Sequence, residues 1–374
     1  MIERTIKASI ENRFGKGKAI FLIGPRQVGK TTLFKQILAE KDFLFLNGDD
    51  PTVRKILTNP NIEQLKNIIG SYKIVFIDEA QRIENIGITL KLITDQIDTV
   101  QLLISGSSAF ELNNQTMEPL TGRKWEYRLF PISWPEFENY VGFLKAEQQL
   151  ELRILYGMYP DIINNFGDEQ AVLKQLTDSY LYKDILAFSG VRKPEILEKL
   201  LQALAFQIGS EVSYNELSQL VGVDKNTVSS YIDILVQGYV VFKLPSFSRN
   251  LRNEIKTNLK IYFYDTGIRN MVIGDFTPLE LRQDKGALWE NFLISERIKQ
   301  LEYQGSLAKS YFWRTVQKQE IDYVEINAGK VFGYEMKWNP KAKAKFPKKF
   351  MEAYKTNIQV VNRDTFRDFL KFEN

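Results

Sequence analysis

The sequence contains neither cysteine nor histidine. Without cysteine, no disulfide framework, thiolate nucleophile or cysteine-ligated zinc site can form. The absence of histidine excludes Ser-His-Asp and Cys-His catalysis, imidazole metal ligation and the usual general base together. Chemistry in this chain therefore rests on carboxylates, lysine, arginine, hydroxyls and hard cations such as magnesium. Long apolar runs are missing too. No stretch approaches the roughly 18 residues of a membrane span, so a cytoplasmic location and no membrane partner are expected. Charge of one sign is scarce: the net +4, from 50 basic and 46 acidic residues, argues by itself for neither nucleic acid nor an anionic surface.

What remains is an ordinary globular composition, 44% hydrophobic and 26% charged over 374 residues, enough for two to three domains. Met1 to Gly17 reads as a short helix with Ile2, Ile6 and Ile10 on one side and not as a signal peptide. The stretch that organises the chain follows it. Gly24-Pro25-Arg26-Gln27-Val28-Gly29-Lys30-Thr31 fits G-x-x-x-x-G-K-[ST], preceded by an apolar strand (Ala19 to Ile23) and followed by a helix from Thr32. The glycines let successive N–H groups turn inward toward phosphate oxygens, and the helix N-terminus faces the same anion. Lys30 then reaches the β- and γ-phosphates and the Thr31 hydroxyl serves as a magnesium ligand. ATP and Mg2+ are the expected cofactors.

Four further strands are expected, the first from Phe43 to Leu46 before the turn Asn47-Gly48-Asp49-Asp50-Pro51. Lys73 to Ile77 ends in Asp78-Glu79, and a buried parallel strand delivers such acids to the sheet edge where ligands bind. Asp78 is expected on the metal and Glu79, in a chain without histidine, is the candidate base; a helix N-cap is the bland alternative. Val100 to Ile104 runs into Ser105-Gly106-Ser107-Ser108, whose hydroxyls either face the γ-phosphate or cap the next helix. Tyr127 to Phe130 is preceded by Leu120-Thr121-Gly122-Arg123. Arg123 is a candidate sensor or finger for transferred charge, or a surface arginine.

With the P-loop, Phe76-Ile77-Asp78-Glu79-Ala80-Gln81, Ser105-Gly106-Ser107 and Leu120-Thr121-Gly122-Arg123 in view, the chain resembles prokaryotic AAA-family ATPases that carry an extra C-terminal nuclease-like domain. The resemblance spans the whole chain. It implies an AAA-type ATP site with Lys30, Thr31, Asp78 and Glu79 as the matching residues. The oligomeric state stays open.

Beyond this domain, residues 141–193 read as a helical, lid-like segment. Residues 194–260 look like a winged helix: helices Ser213 to Val221 and Asp224 to Gln237, a strand from Tyr239 to Leu244, and a basic loop with Arg249, Arg252 and Lys256. Only Lys225 among the outward residues of the second helix is cationic, which is sparse for a DNA reader. In residues 261–374 an amphipathic helix carries Glu290, and strands Tyr311 to Arg314, Glu320 to Ile326 and Val331 to Trp338 follow. Period two puts Phe332, Tyr334 and Met336 on one face and Glu335 with Lys337 on the other. The set Glu290, Asp322, Glu335 and Lys337 is similar to the PD-(D/E)XK nuclease superfamily. That resemblance implies Asp322 and Glu335 as metal ligands, Glu290 as the helix acid and Lys337 as the catalytic lysine. The alternative is a cross-face Glu-x-Lys pair on a solvated strand. Lys341, Lys343, Lys345, Lys348 and Lys349 are a solvated loop or a phosphate track.

The expected fold is thus α/β: a doubly wound parallel sheet in residues 1–140, then helical and winged-helix segments, then a C-terminal α/β nuclease-like domain. The expected activity is ATP hydrolysis, with a metal-dependent DNA endonuclease or a nucleotide-gated binding protein as alternatives.

Overall fold

A computed structural model describes residues 1–106, 120–179, 191, 193–247, 259–315, 317, 319–342, 344 and 346–371. Ser107, the basic residues at 249, 252 and 256, and the lysines at 343 and 345 lie outside the described residues. Contacts divide the chain into two units, residues 1–132 with 237–239, and residues 133–236 with 240–374.

The first unit is built on five parallel strands, β1 (Ala19–Ile23), β2 (Leu44–Asn47), β3 (Ile74–Asp78), β4 (Gln101–Gly106) and β5 (Lys124–Arg128). Their order is β2-β3-β4-β1-β5. The central strands are continuous apolar runs because helices cover both faces, and β1 is buried at every position. Phe34 and Phe76 meet edge to face, 5.1 Å between centroids, where the helix Lys30–Ile37 packs on the sheet. The register Ile23 to Gly106 and Ile23 to Arg128 brings the C-terminal ends of β1, β4 and β5 to one edge, the edge where ligands bind in such sheets. Strand β5 starts three residues before the expected Tyr127.

By contacts, residues 133–236 and 240–374, which hold the three segments expected after the first domain, form one unit. Helices Pro194–Phe206, Tyr214–Val221 and Lys225–Gln237 precede an antiparallel sheet of β6 (Glu211–Val212), β7 (Val241–Pro245) and β8 (Leu259–Phe263), ordered β6-β8-β7. Strands β9 (Lys309–Arg314), β10 (Glu320–Asn327), β11 (Lys330–Met336) and β12 (Ile358–Val361) form a second sheet, ordered β12-β11-β10-β9, with β12 parallel to β11.

Two features knit these segments together. The chain leaving β7 bridges to β9, Phe247 N–H donating to the Phe312 carbonyl at 2.6 Å, and Phe247 joins Trp313, Ile321, Val324, Phe350 and Ile358 in one apolar cluster. Elsewhere, buried Asp265 caps the helix Thr266–Ile273 by accepting from Gly267 and Ile268 N–H and also from Met158 N–H at 2.7 Å. That contact needs glycine on both sides. A Cβ at Gly157, which has φ +84°, would stand 1.9 Å from Asp265 Oδ1, and one at Gly267 would stand 2.1 Å from the Tyr156 carbonyl oxygen. Among the described residues no helix is long and apolar enough to cross a membrane.

Candidate functional site

The loop from Gly24 to Thr31 leaves β1 at the ligand edge and turns into the helix Lys30–Ile37. Its curl depends on two residues without side chains. Gly24, at φ +152°, lies so close to the end of β5 that a Cβ would be 2.0 Å from the Leu129 carbonyl oxygen, and Gly29 caps the helix in the left-handed region at φ +93°. Gln27 is left-handed as well, at φ 61°. Pro25 and Val28 are buried, Arg26 is half-buried, and Gln27 and Thr32 are exposed.

Lys30 is 5% exposed. Its ammonium folds back to donate to the Gly24 and Pro25 carbonyls at 2.9 and 2.7 Å. Burial pushes it down to about 8, against the opposing pull of Glu79 and Asp78. Thr31 Oγ1 donates to Asp78 Oδ2 at 2.8 Å, and Ser105 Oγ donates to the other oxygen of the same carboxylate. Loop, β3 and β4 therefore converge on Asp78, as adjacency of β3 and β4 demands.

Glu79 adopts the left-handed conformation, φ 49°, and its carboxylate accepts from Gln81 Nε2 at 2.5 Å. Its peptide is held from behind. Gly48 N–H donates to the Asp78 carbonyl at 2.8 Å, and a Cβ at Gly48 would stand 2.3 Å from the Glu79 carbonyl oxygen.

Arg123 is a correction. It precedes β5, whose parallel pairing sets Lys124 opposite Ala19, the N-terminal end of β1. At ~3.3 Å per residue the loop leaves β1 roughly 13 Å away, so Arg123 is no part of its own chain's nucleotide site. It pairs instead with Asp95, 2.5 Å away. A different arginine touches the loop. Arg4, 5% exposed, donates to the Val28 and Phe130 carbonyls, both at 2.7 Å. Nothing in the motif pointed to it, and the apolar periodicity of the first helix concealed it.

In the second unit, Glu290, Asp322, Glu335 and Lys337 do approach one another. Lys337 Nζ lies 2.9 Å from Glu335 and 3.7 Å from Asp322. Glu335 is buried, so β11 is covered on both faces there rather than solvated on one. Burial pushes both Glu290 and Glu335 up to about 7. The expected metal set is a second correction. Asp322 Oδ2 accepts the Met336 N–H at 2.7 Å, Glu290 Oε1 accepts from Lys260 Nζ and Tyr262 Oη at 3.1 and 2.5 Å, and among the described residues no three acids are placed to hold a metal ion. Lys260, Tyr262 and Glu320 were missed in the sequence. The available signal was one lysine in the apolar strand Leu259-Lys260-Ile261-Tyr262-Phe263, with the tyrosine two residues on and hence on the same face.

The first unit's parallel sheet and phosphate loop define the class of its fold, that of a P-loop ATPase-like domain. Residues 16–138 match the family model described as AAA domain. Residues 147–279 and 285–370 match two domains of unknown function, DUF8612 and DUF4143. An uncharacterized protein of Mycobacterium tuberculosis is 29% identical over 340 residues, covering 89% of this chain and 73% of that protein. An uncharacterized protein of Haemophilus influenzae is 25% identical over 335 residues, covering 82% of this chain and 79% of that protein. Among solved structures, a Walker-type ATPase of Pyrococcus abyssi shares the fold with a TM-score of 0.50 at 15% identity, over 74% of this chain and 96% of that one.

Proposed function

We propose that the protein is a magnesium-dependent ATPase. The observation that carries the reading is the 2.8 Å contact of the Thr31 hydroxyl with Asp78. It joins the loop that would grip a triphosphate to the strand acid that would hold the metal. One hydroxyl and one carboxylate side by side fit a hard divalent cation that keeps most of its waters. Thr31 and Asp78 would hold magnesium, which when bound supplies positive charge beside the β- and γ-phosphates.

The chain's own residues supply the rest. Loop N–H groups and the helix N-terminus bind phosphate oxygens. Lys30 exchanges its two carbonyl acceptors for β- and γ-oxygens, and the dianionic neighbour holds its proton in place. Glu79 polarises the attacking water, with Gln81 and the Gly48 turn fixing its orientation. Turnover is expected to be slow in the isolated chain, because Arg123, the expected finger, lies at the far end of the sheet.

Fluorescent-ATP binding and phosphate release test this. Lys30→Ala should abolish nucleotide affinity, and Glu79→Gln should keep affinity while turnover falls about a hundredfold or more. Unchanged affinity in Lys30→Ala sinks the proposal. For the remaining unit, helices Tyr214–Val221 and Lys225–Gln237 with the β6-β8-β7 sheet support a winged-helix reading. The nuclease alternative has Lys337 beside two acids in its favour and the donor set against it.

A further inference from the structure

We propose that the ammonium of Lys260 is the built-in cation of the C-terminal acid cluster, closing it with protein charge in place of the divalent metal that a PD-(D/E)XK nuclease requires. Lys260 lies on β8 and is 1% exposed. Its Nζ is 2.5 Å from Glu320 Oε1 and 3.1 Å from Glu290 Oε1. One ammonium thus joins a strand of the three-stranded sheet, the helix Lys285–Tyr303 and a strand of the four-stranded sheet.

A magnesium site needs carboxylate oxygens that converge on one point with lone pairs to give. Here each acid already has a partner within the fold on at least one oxygen. Glu290 accepts from Lys260 and Tyr262, and Glu320 faces Lys260 and Arg314. Asp322 accepts a backbone N–H from Met336, and Glu335 accepts from Lys337. Four carboxylates are met by three cations from the same fold. A buried charge persists where it is paired and hydrogen-bonded, and Lys260 donates to two acids while resting over the Phe312 ring, 5.4 Å from its centroid. A metal ion there would sit against a fixed, buried ammonium. With Lys260 supplying the cation, no three acids among the described residues converge on a point that a metal could take.

The test uses the full-length protein without nucleotide, titrated with Mn2+ while free Mn2+ is followed by electron paramagnetic resonance. Wild type and Asp322→Ala should take up the same amount. Lys260→Met, which frees the acids, should bind Mn2+ about tenfold tighter or better, and adding Asp322→Ala should remove that gain. Uptake by the wild type that disappears in Asp322→Ala overturns the proposal, as does a folded Lys260→Met variant with no gain. Should Lys260→Met fail to fold, the wild-type comparison still decides. Rescue of folding by Lys260→Met/Glu290→Gln, which removes one acid together with the lysine, would then identify the ion pair as the role. Nucleotide is absent throughout, so the outcome does not depend on the ATPase reading.

Discussion

Replacing Lys30 by methionine should make the stability of the nucleotide-free protein less dependent on pH. The ammonium donates to two carbonyls and feels two carboxylates, yet burial wins and pushes it from its ordinary 10.5 down to about 8. At about 1.4 kcal/mol per factor of ten, keeping that proton in the folded loop at pH 7 costs about 3 kcal/mol. Between pH 8 and 10.5 the unfolded chain holds a proton that the folded chain has released, so wild-type stability rises with pH across that window. Below pH 8 both states carry the proton and the cost is full; above 10.5 neither does and it vanishes. Methionine has similar length and no charge to desolvate. Thermal unfolding should therefore show the stability difference between variant and wild type moving by about 2 kcal/mol in favour of the wild type from pH 7 to pH 9.5, whatever the constant loss of the two carbonyl contacts. ATP with magnesium should raise the melting temperature of the wild type and leave the variant where it was. A stability difference that does not change between pH 7 and pH 9.5 would refute the claim that burial disfavours the lysine's charge until a phosphate meets it.

Gly48→Ala drives a methyl against the Glu79 carbonyl oxygen and should lower turnover about tenfold or more while nucleotide affinity changes less, read as a split between kcat and KM. Arg4→Met removes two buried bonds from a cation to the Val28 and Phe130 carbonyls; it should destabilise the protein by about 3 kcal/mol and weaken ATP binding in a titration. Glu325→Ala leaves buried Arg297 without the carboxylate it holds at 2.8 and 2.9 Å, and a loss of about 3–5 kcal/mol is expected in denaturant unfolding.

The nucleotide loop was legible because its parts are contiguous: eight neighbouring residues carry the turn, the cation and the hydroxyl. Asp78 was legible because a strand period and its terminus place it without knowledge of the partner strand. Arg123 was misplaced because a motif preceding a strand does not say which end of the sheet it occupies; only the pairing of Lys124 with Ala19 does. Lys260 stood out as a lysine in an apolar strand, but its partners did not, for a related reason. Its partners Glu290 and Glu320 are far along the chain, and no local pattern records an ion pair formed by folding. The expected helix followed by three strands is present, but the partners of the acids, Lys260, Tyr262, Lys337 and the Met336 amide, are set by folding and left no local pattern.

The meeting of Gly157, Asp265 and Gly267 has a practical corollary for dissecting the molecule. A fragment beginning at residue 261 would keep Asp265 but lose the Met158 amide that saturates it, stranding a buried carboxylate oxygen. The complementary fragment would expose a glycine notch shaped for a side chain it no longer has. Cutting the polypeptide between these points should give two pieces that remain bound to each other, and expressing either alone should give an insoluble product.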